Sequence, residues 1–268
     1  MITPGKNYVV GIDIGGQTAK MGVIDRRGNV VGETVIPSNK HTDPAEFVPF
    51  MAEALKGLFA KLGVEGQILG VGAGAPCANY RSGTIDNAAN VTWANARIVP
   101  FANMLSEALD GIPVALTNDA NAAALGEMYY GAARGMKDFI VITLGTGVGS
   151  GIVIDGKLVY GHDGFAGELG HVRVIRHNGR ACGCGSVGCL ETYCSAPGIA
   201  RTARELLETQ IDTPSVLRDI DNITAKDVQE AAFAGDVIAN QVYAFTGRIL
   251  GEALANFIAF SAPEAIIL

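Results

Sequence analysis

The stretch "NYVVGIDIGG" is an apolar run rich in β-branched residues that stops at Gly15 and Gly16, a pattern that predicts a buried strand entering a tight turn. Two further strands are predicted in "AKMGVID" and "VVGETVIP", joined through "RRGN", so this region reads as an antiparallel three-strand meander. The period then changes. In "DPAEFVPFMAEALKGLFAKLG" the apolar Phe47, Met51, Leu55, Leu58 and Leu62 recur at helical spacing, with Asp43 placed as an N-cap and Gly63 as a stop. "QILGVGAGAP" predicts another strand ending in glycines, and "IPVALTNDANAAALGEMYYG" a strand running directly into an alanine-rich helix.

"KDFIVITLGTGVGSGIVIDGKLVYG" then repeats the opening pattern of strand, glycine turn, strand, tight turn and strand. Two copies of one supersecondary unit predict two related α/β domains, at residues 1–118 and 119–268. After Glu191 the pattern is helical, through "PGIARTARELLET", "TAKDVQEAAFAG" with Thr224 as N-cap, and "DVIANQVYAFTGRILGEALANFIAFSA". "PEAIIL" reads as the first residues of a buried strand. A complete domain is not expected to stop there, so the second domain reads as truncated.

With 268 residues, 49% of them apolar and 18% charged, the chain can bury a substantial core. A net charge of -7 and a pI near 5.1 argue against a nucleic-acid partner, which needs a basic face, and favour a small substrate. No secretory leader and no run of ~18 apolar residues is found, which predicts a cytoplasmic protein with no membrane partner. Thirty-five glycines are near twice the ordinary ~7% share, and they fall mostly in loops after strands.

The glycine turns are the first candidate chemistry. Asp13, Gly15, Gly16, Gln17 and Thr18 form one, and Gly145, Thr146, Gly147 and Gly149 the other. Each offers unobstructed backbone N–H groups and a hydroxyl, as a phosphate chain requires. Neither opens a helix, so neither is a Walker or Rossmann loop. Singly each reads as an ordinary hairpin; as a matched pair they point to a nucleotide, with Asp13 holding Mg²⁺ through water. Asn118 and Asp119 join a strand to a helix, and Asp119 reads equally as a cap and as a base placed at the domain junction.

Cys182, Cys184 and Cys189 form C-x-C-x4-C, three thiolates at short reach in a chain read as reduced. A structural zinc site needs a fourth ligand, for which His171 is the first candidate and His177 the second; reduced structural thiols are the competing reading. Cys77 and Cys194 read as ordinary buried residues. Glu168, His171 and Glu191 flank the cluster and could together hydrogen-bond a polyol. Asn90, Trp93 and Asn95 add polar groups nearby in sequence, although a single tryptophan reads equally as core.

The motifs "GIDIGGQTAK", "TNDANAAALGE", "TLGTGVGSGIV", "GELGH" and "CGCGSVGCLETYCS", in this order, resemble those of the ROK family of sugar kinases and sugar-responsive repressors, in the actin-like ATPase superfamily. The resemblance covers essentially the whole chain. It implies two actin-like (ribonuclease H-like) α/β domains facing a deep cleft, with a small zinc loop in the C-terminal domain. Asp119 would be the general base on the primary hydroxyl of a hexose, glucose foremost, attacking the γ-phosphate of Mg·ATP. Asn118, Glu168, His171 and Glu191 would bind the sugar, with Asn90 beside them. Cys182, Cys184, Cys189 and His171 would hold structural Zn²⁺. ATP would meet Gly15 to Thr18 and Gly145 to Gly149, and Lys20 matches the family pattern.

The pattern is broken at Gln17 and Thr18, where Thr and Lys are usual, at Cys77, where glycine is common, and at the end of the chain, where the family continues. The resemblance further implies a homodimer. Kinases for fructose, mannose or N-acetylated sugars and a non-catalytic sugar binder are the alternatives. A repressor is disfavoured, because a first strand near residue 7 leaves no room for a helix-turn-helix.

Overall fold

The computed structural model describes residues 5–268 and is a mixed α/β structure. The expected meander forms β1 (Tyr8–Ile14), β2 (Thr18–Asp25) and β3 (Val30–Pro37), all antiparallel. Alternating burial along β2 sends Ala19, Met21 and Val23 into the core and leaves Thr18 and Lys20 exposed. Helix α1 (Pro44–Leu62) starts where Asp43 accepts the Ala45 N–H and stops at Gly63, whose φ of 64° is left-handed. It buries Phe47, Met51, Leu55 and Leu58, the predicted stripe. That crossover lets β4 (Ile68–Ala75) join β1 in parallel.

Three very short strands follow, β5 (Ala78–Asn79), β6 (Thr84–Asp86) and β7 (Ile98–Val99), forming a separate small sheet. Trp93 is fully buried and stacks on Phe47 and Phe101 at 4.5 and 5.8 Å, which makes it a core residue. After α2 (Phe101–Ala108), β8 (Val114–Asn118) pairs in parallel with β4, giving the sheet order β3-β2-β1-β4-β8. Helix α3 (Asp119–Tyr130) begins without an intervening loop.

The repeat is visible as pairing. β9 (Phe139–Leu144), β10 (Val148–Ile154) and β11 (Lys157–Leu158) form a second antiparallel meander, and β12 (Ala265–Ile267) joins β9 in parallel as β4 joins β1. β12 is half-buried, not fully buried as "PEAIIL" predicts, because it pairs on one side only, at the end of the order β11-β10-β9-β12. Helices α4 (Glu191–Cys194), α5 (Ala196–Thr209), α6 (Ala225–Phe233) and α7 (Val237–Ser261) complete the chain. Thr224 caps α6 in a reciprocal box with Asp227.

Two compact units result. One runs to Ala123 and includes Tyr160–Ala166; the other comprises Ala124–Val159 and Gly167–Leu268. Within the first unit the 160–166 segment is held by Asn79 Nδ2 donating to Asp163 O (2.8 Å), Arg81 donating to Gly161 O (2.7 Å), and a Tyr80–Tyr160 stack at 4.2 Å. Among the described residues, no helix is long and apolar enough to cross a membrane.

Candidate active site and metal centre

In the first unit the turn between β1 and β2 is closed by Gly15 N–H donating to Thr18 O at 2.9 Å. Gly16 is required by packing: a Cβ there would lie 2.3 Å from the Asn90 carbonyl oxygen, so this turn abuts Asn90. Asp13 is exposed at the end of β1 and faces Lys20 across the ladder. The Gln17 side chain, one of the two departures from the family pattern here, accepts from Asn39 Nδ2 at 2.8 Å. Thr18 is exposed beside it. Cys77 adopts φ 53°, the left-handed region glycine enters without strain, so this departure keeps the backbone shape a glycine would give.

Asn118 and Asp119 divide the capping role that was open from sequence. The Ala120 N–H is shared between Asn118 Oδ1 at 2.9 Å and Asp119 Oδ1 at 2.8 Å. Asp119 remains accessible to solvent, yet the surrounding protein desolvates it enough to raise its pKa; the Ala120 N–H opposes this and the negative charge of Asp13 adds to it. Two carboxylates thus meet at the carboxyl ends of β1 and β8, on either side of β4. Repulsion between them is what a divalent cation would relieve.

In the second unit, Gly145 N–H donates to Gly147 O at 2.9 Å and closes the matching turn, with Thr146 exposed at its tip and Gly149 paired to Thr143 in β10. Glu191 Oε2 accepts the Val148 N–H at 3.0 Å, and a Cβ on Gly147 would lie 2.6 Å from that same oxygen. Leu169 N–H donates to Ser150 Oγ at 3.2 Å and Ser150 Oγ donates to Gly167 O, which pins "GELGH" against β10. Glu168 is the N-cap of the 3₁₀ turn Leu169–His171 within this motif, and its Oε2 stands 4.0 Å from His171 Nε2.

The ligand atoms of His171, Cys182, Cys184 and Cys189 all lie within 4.8 Å of one another. Cys184 and Cys189 Sγ are 3.7 Å apart, and Cys182 Sγ is 3.6 Å from His171 Nδ1. Tetrahedral zinc with Zn–S near 2.3 Å requires S···S edges of about 3.8 Å, so the donor set and spacing fit zinc. No disulfide forms among the described residues, and the 3.7 Å between Cys184 and Cys189 Sγ is far beyond a disulfide bond. His171 is therefore the fourth ligand candidate, and His177 stays exposed outside the cluster. Burial pushes the Cys189 thiol up to about 12 and raises Cys182, whereas the Ser186 N–H lowers Cys184. Such thiols would give up their protons to an incoming metal, so binding would release acid.

Arg180 carries no sequence signal, yet it anchors the loop. The residue is 6% exposed; its guanidinium donates to Thr192 O (2.8 Å), Gly198 O (3.2 Å), Thr202 Oγ1 (2.8 Å) and Glu205 Oε2 (2.5 Å) and lies 4.5 Å from the Tyr193 ring centroid. Its own N–H donates to Tyr193 Oη at 2.9 Å. Burial pushes Glu205 up, but hydrogen bonds from Arg180 and Arg201 outweigh this and leave its pKa lowered. The cysteine loop is thereby fastened to α4 and α5.

A sheet-and-hairpin unit used twice, each copy with a glycine turn, defines an actin-like ATPase. The chain belongs to the ROK family, whose profile matches residues 9–268. It is 41% identical over 266 residues to the glucokinase of Halalkalibacterium halodurans, covering 97% of this chain and 79% of that one. It is 37% identical over 263 residues to the glucokinase of Streptomyces coelicolor, covering 96% and 80%. The crystal structure of a ROK family glucokinase from Streptomyces griseus in complex with glucose and AMPPNP superimposes with a TM-score of 0.77 at 34% identity, covering 97% of this chain and 81% of that chain.

Proposed function

We propose that this chain is an ATP-dependent hexose kinase that phosphorylates the primary hydroxyl of glucose, with Asp119 as general base. The observation that carries this reading is the state of Asp119: a carboxylate with a raised pKa, beside a second carboxylate, at the carboxyl ends of parallel strands. A raised pKa makes Asp119 a stronger base than an ordinary carboxylate. Asp119 takes the hydroxyl proton as the sugar oxygen attacks the γ-phosphate, and little else covalent is required of the protein. The turns Gly15 to Thr18 and Gly145 to Gly149 receive phosphate oxygens through N–H groups that the turn-closing bonds leave open, those of Gly16, Thr146 and Gly147 foremost, and Lys20 balances charge near Asp13. Asp13 would hold Mg²⁺ through water, and the ion would supply positive charge against the phosphates. Asn90 and Asn118 in the first unit and Glu168, His171 and Glu191 in the second supply sugar hydroxyl partners.

Cys182, Cys184, Cys189 and His171 would hold zinc, which would supply structural bracing by fixing the orientation of the His171 ring and so of its neighbour Glu168. Glucose as the substrate is supported by the two curated glucokinase relatives. The test is ADP release with glucose, fructose, mannose and N-acetylated hexoses in wild type and in Asp119→Ala. One hexose should dominate, and the variant should lose about 10²- to 10⁴-fold in kcat while still binding sugar. Unchanged turnover in the variant would remove Asp119 as the base. Sugar binding with no phosphorylation of any hexose by wild type would replace the kinase with a non-catalytic sugar binder.

A further inference from the structure

We infer that Glu191 is a positioning residue that couples the cysteine–histidine cluster to the second glycine turn, so that metal in the cluster strengthens nucleotide binding even when no sugar is present. This rests on the reading of Gly145 to Gly149 as a phosphate turn.

Val148, the residue that leaves the turn, is gripped from both sides by segments that carry cluster ligands. Its N–H is held by Glu191 Oε2 at 3.0 Å. Its carbonyl is abutted by Gly170, next to His171, where a Cβ would come within 2.0 Å of the oxygen. The other Glu191 oxygen, Oε1, faces Cys182 Sγ at 4.0 Å. The backbone of Glu191 follows Cys189 by two residues. That stretch is fixed by a bridge between Arg173 and Cys189 and by Leu190 N–H donating to Val172 O at 2.9 Å. Just beyond α4, Ala196 N–H returns to Gly145 O at 2.8 Å, so the turn is also tied at its first glycine.

Glycine at 147 makes this fit. Any side chain there would meet the carboxylate at 2.6 Å, so turn and carboxylate are matched in shape as well as hydrogen-bonded. The same bond fixes the turn's conformation: with Val148 N–H fastened to Glu191 and Gly145 N–H to Gly147 O, the N–H groups of Thr146 and Gly147 are presented in one arrangement, and less order has to be imposed when phosphate arrives. A metal that holds Cys182, Cys189 and His171 together therefore fixes both contacts to Val148. Without it the short segments bearing Gly170 and Glu191 lose their common anchor and the turn relaxes.

A purely sugar-binding Glu191 would not affect nucleotide binding in the absence of sugar. Calorimetric titration of the full chain with Mg·AMPPNP, no sugar added, distinguishes the two roles. It would be run on zinc-loaded and chelator-treated wild type, Glu191→Ala and Glu191→Gln, with circular dichroism confirming fold. Zinc removal should weaken wild-type binding by about tenfold, the worth of one hydrogen bond to a charged acceptor. Glu191→Ala should cost about the same with zinc present, and chelation should then add little, because both perturbations break one link. Glu191→Gln, whose amide oxygen still accepts from Val148 N–H, should retain most of the affinity.

Should the alanine variant lose zinc, Glu191→Asp takes its place: it keeps the charge but is one methylene short of Val148. Costs from chelation and from Glu191→Ala or Glu191→Asp that simply add, or that are both absent, would overturn the coupling while leaving the phosphate turn intact. Zinc-loaded wild type that binds no AMPPNP would overturn the phosphate reading, and the coupling with it.

Discussion

Arg180→Ala removes a buried guanidinium behind the cysteine loop. The wild-type side chain is 5% exposed, and truncation deletes its bonds to Thr192 O, Gly198 O, Thr202 Oγ1 and Glu205, as well as its packing on Tyr193. Breaking a fully buried ion pair costs about 3–5 kcal/mol, mostly by stranding the other charge. Glu205 is not stranded: it is 45% exposed and keeps a 2.8 Å bond from Arg201. Gly198 O likewise keeps a 2.9 Å bond from Thr202 Oγ1. The expected loss therefore sits at the low end, about 3 kcal/mol.

For a unit of this size that is a fall in Tm of about 6–12 °C, read by calorimetry on zinc-loaded protein. Zinc affinity, measured by chelator competition, should fall about tenfold, because the loop's outer support is gone. Arg180→Lys should recover little, since an ammonium cannot reproduce the planar fork that reaches four acceptors. There is also a pH signature. The folded pKa of Glu205 lies below its ordinary 4.5, so the pair's contribution is present above that pH and lost as pH falls through the lowered value. The alanine variant should lack that part of the acid sensitivity. A Tm within 2 °C of wild type together with unchanged zinc affinity would refute the anchoring role.

The acid limb of kcat/KM should lie above the ordinary aspartate value of 3.8, because activity needs Asp119 ionised and is lost as pH falls through its raised pKa. Asp13→Asn should move that limb downward by removing the neighbouring negative charge, and an unmoved limb in the residual activity would detach the two carboxylates. Gly16→Ala should cost at least about tenfold in nucleotide affinity, because a Cβ 2.3 Å from Asn90 O forces the turn away; an unaffected titration would show that the turn does not touch nucleotide. Metal analysis should find about one zinc per chain, lost together with cysteine protection from alkylation at 182, 184 and 189 on chelation. A metal-free, fully folded chain would end the zinc assignment.

The elements that were legible in the sequence are those whose signal is local. α1 could be read from its stripe, its Asp43 cap and its Gly63 stop because each is a property of a few adjacent residues. Both meanders could be read for the same reason, whereas the matched pairing of β4 with β1 and of β12 with β9 joins distant strands and emerges only in the structure. The β5–β7 sheet could not, since strands of two or three residues have no period to detect. The return of residues 160–166 to Asn79 and Arg81 joins positions about eighty apart through backbone carbonyls, which any sequence supplies equally.

The same distinction divides the candidate site. Glycines at 16 and 147 could be singled out because close approach forbids a side chain there, and C-x-C-x4-C because zinc demands thiolates at short spacing. His171 could be put ahead of His177 from the sequence; what the structure adds is the placement of its 3₁₀ turn, which brings its ring nitrogen to the three thiols. Glu191 and Arg180 are harder still. A charged residue in a glycine-rich loop is by default a surface residue, and most are. What makes Arg180 an anchor is that α4 and α5 leave the carbonyls of Thr192 and Gly198 facing one point. What makes Glu191 a link is that Val148, forty-three residues earlier, leaves an N–H unpaired beside it. Both roles are met through backbone groups, Thr192 O and Gly198 O for Arg180 and Val148 N–H for Glu191, so an accounting of backbone hydrogen bonds after folding finds supporting residues that motif matching passes over.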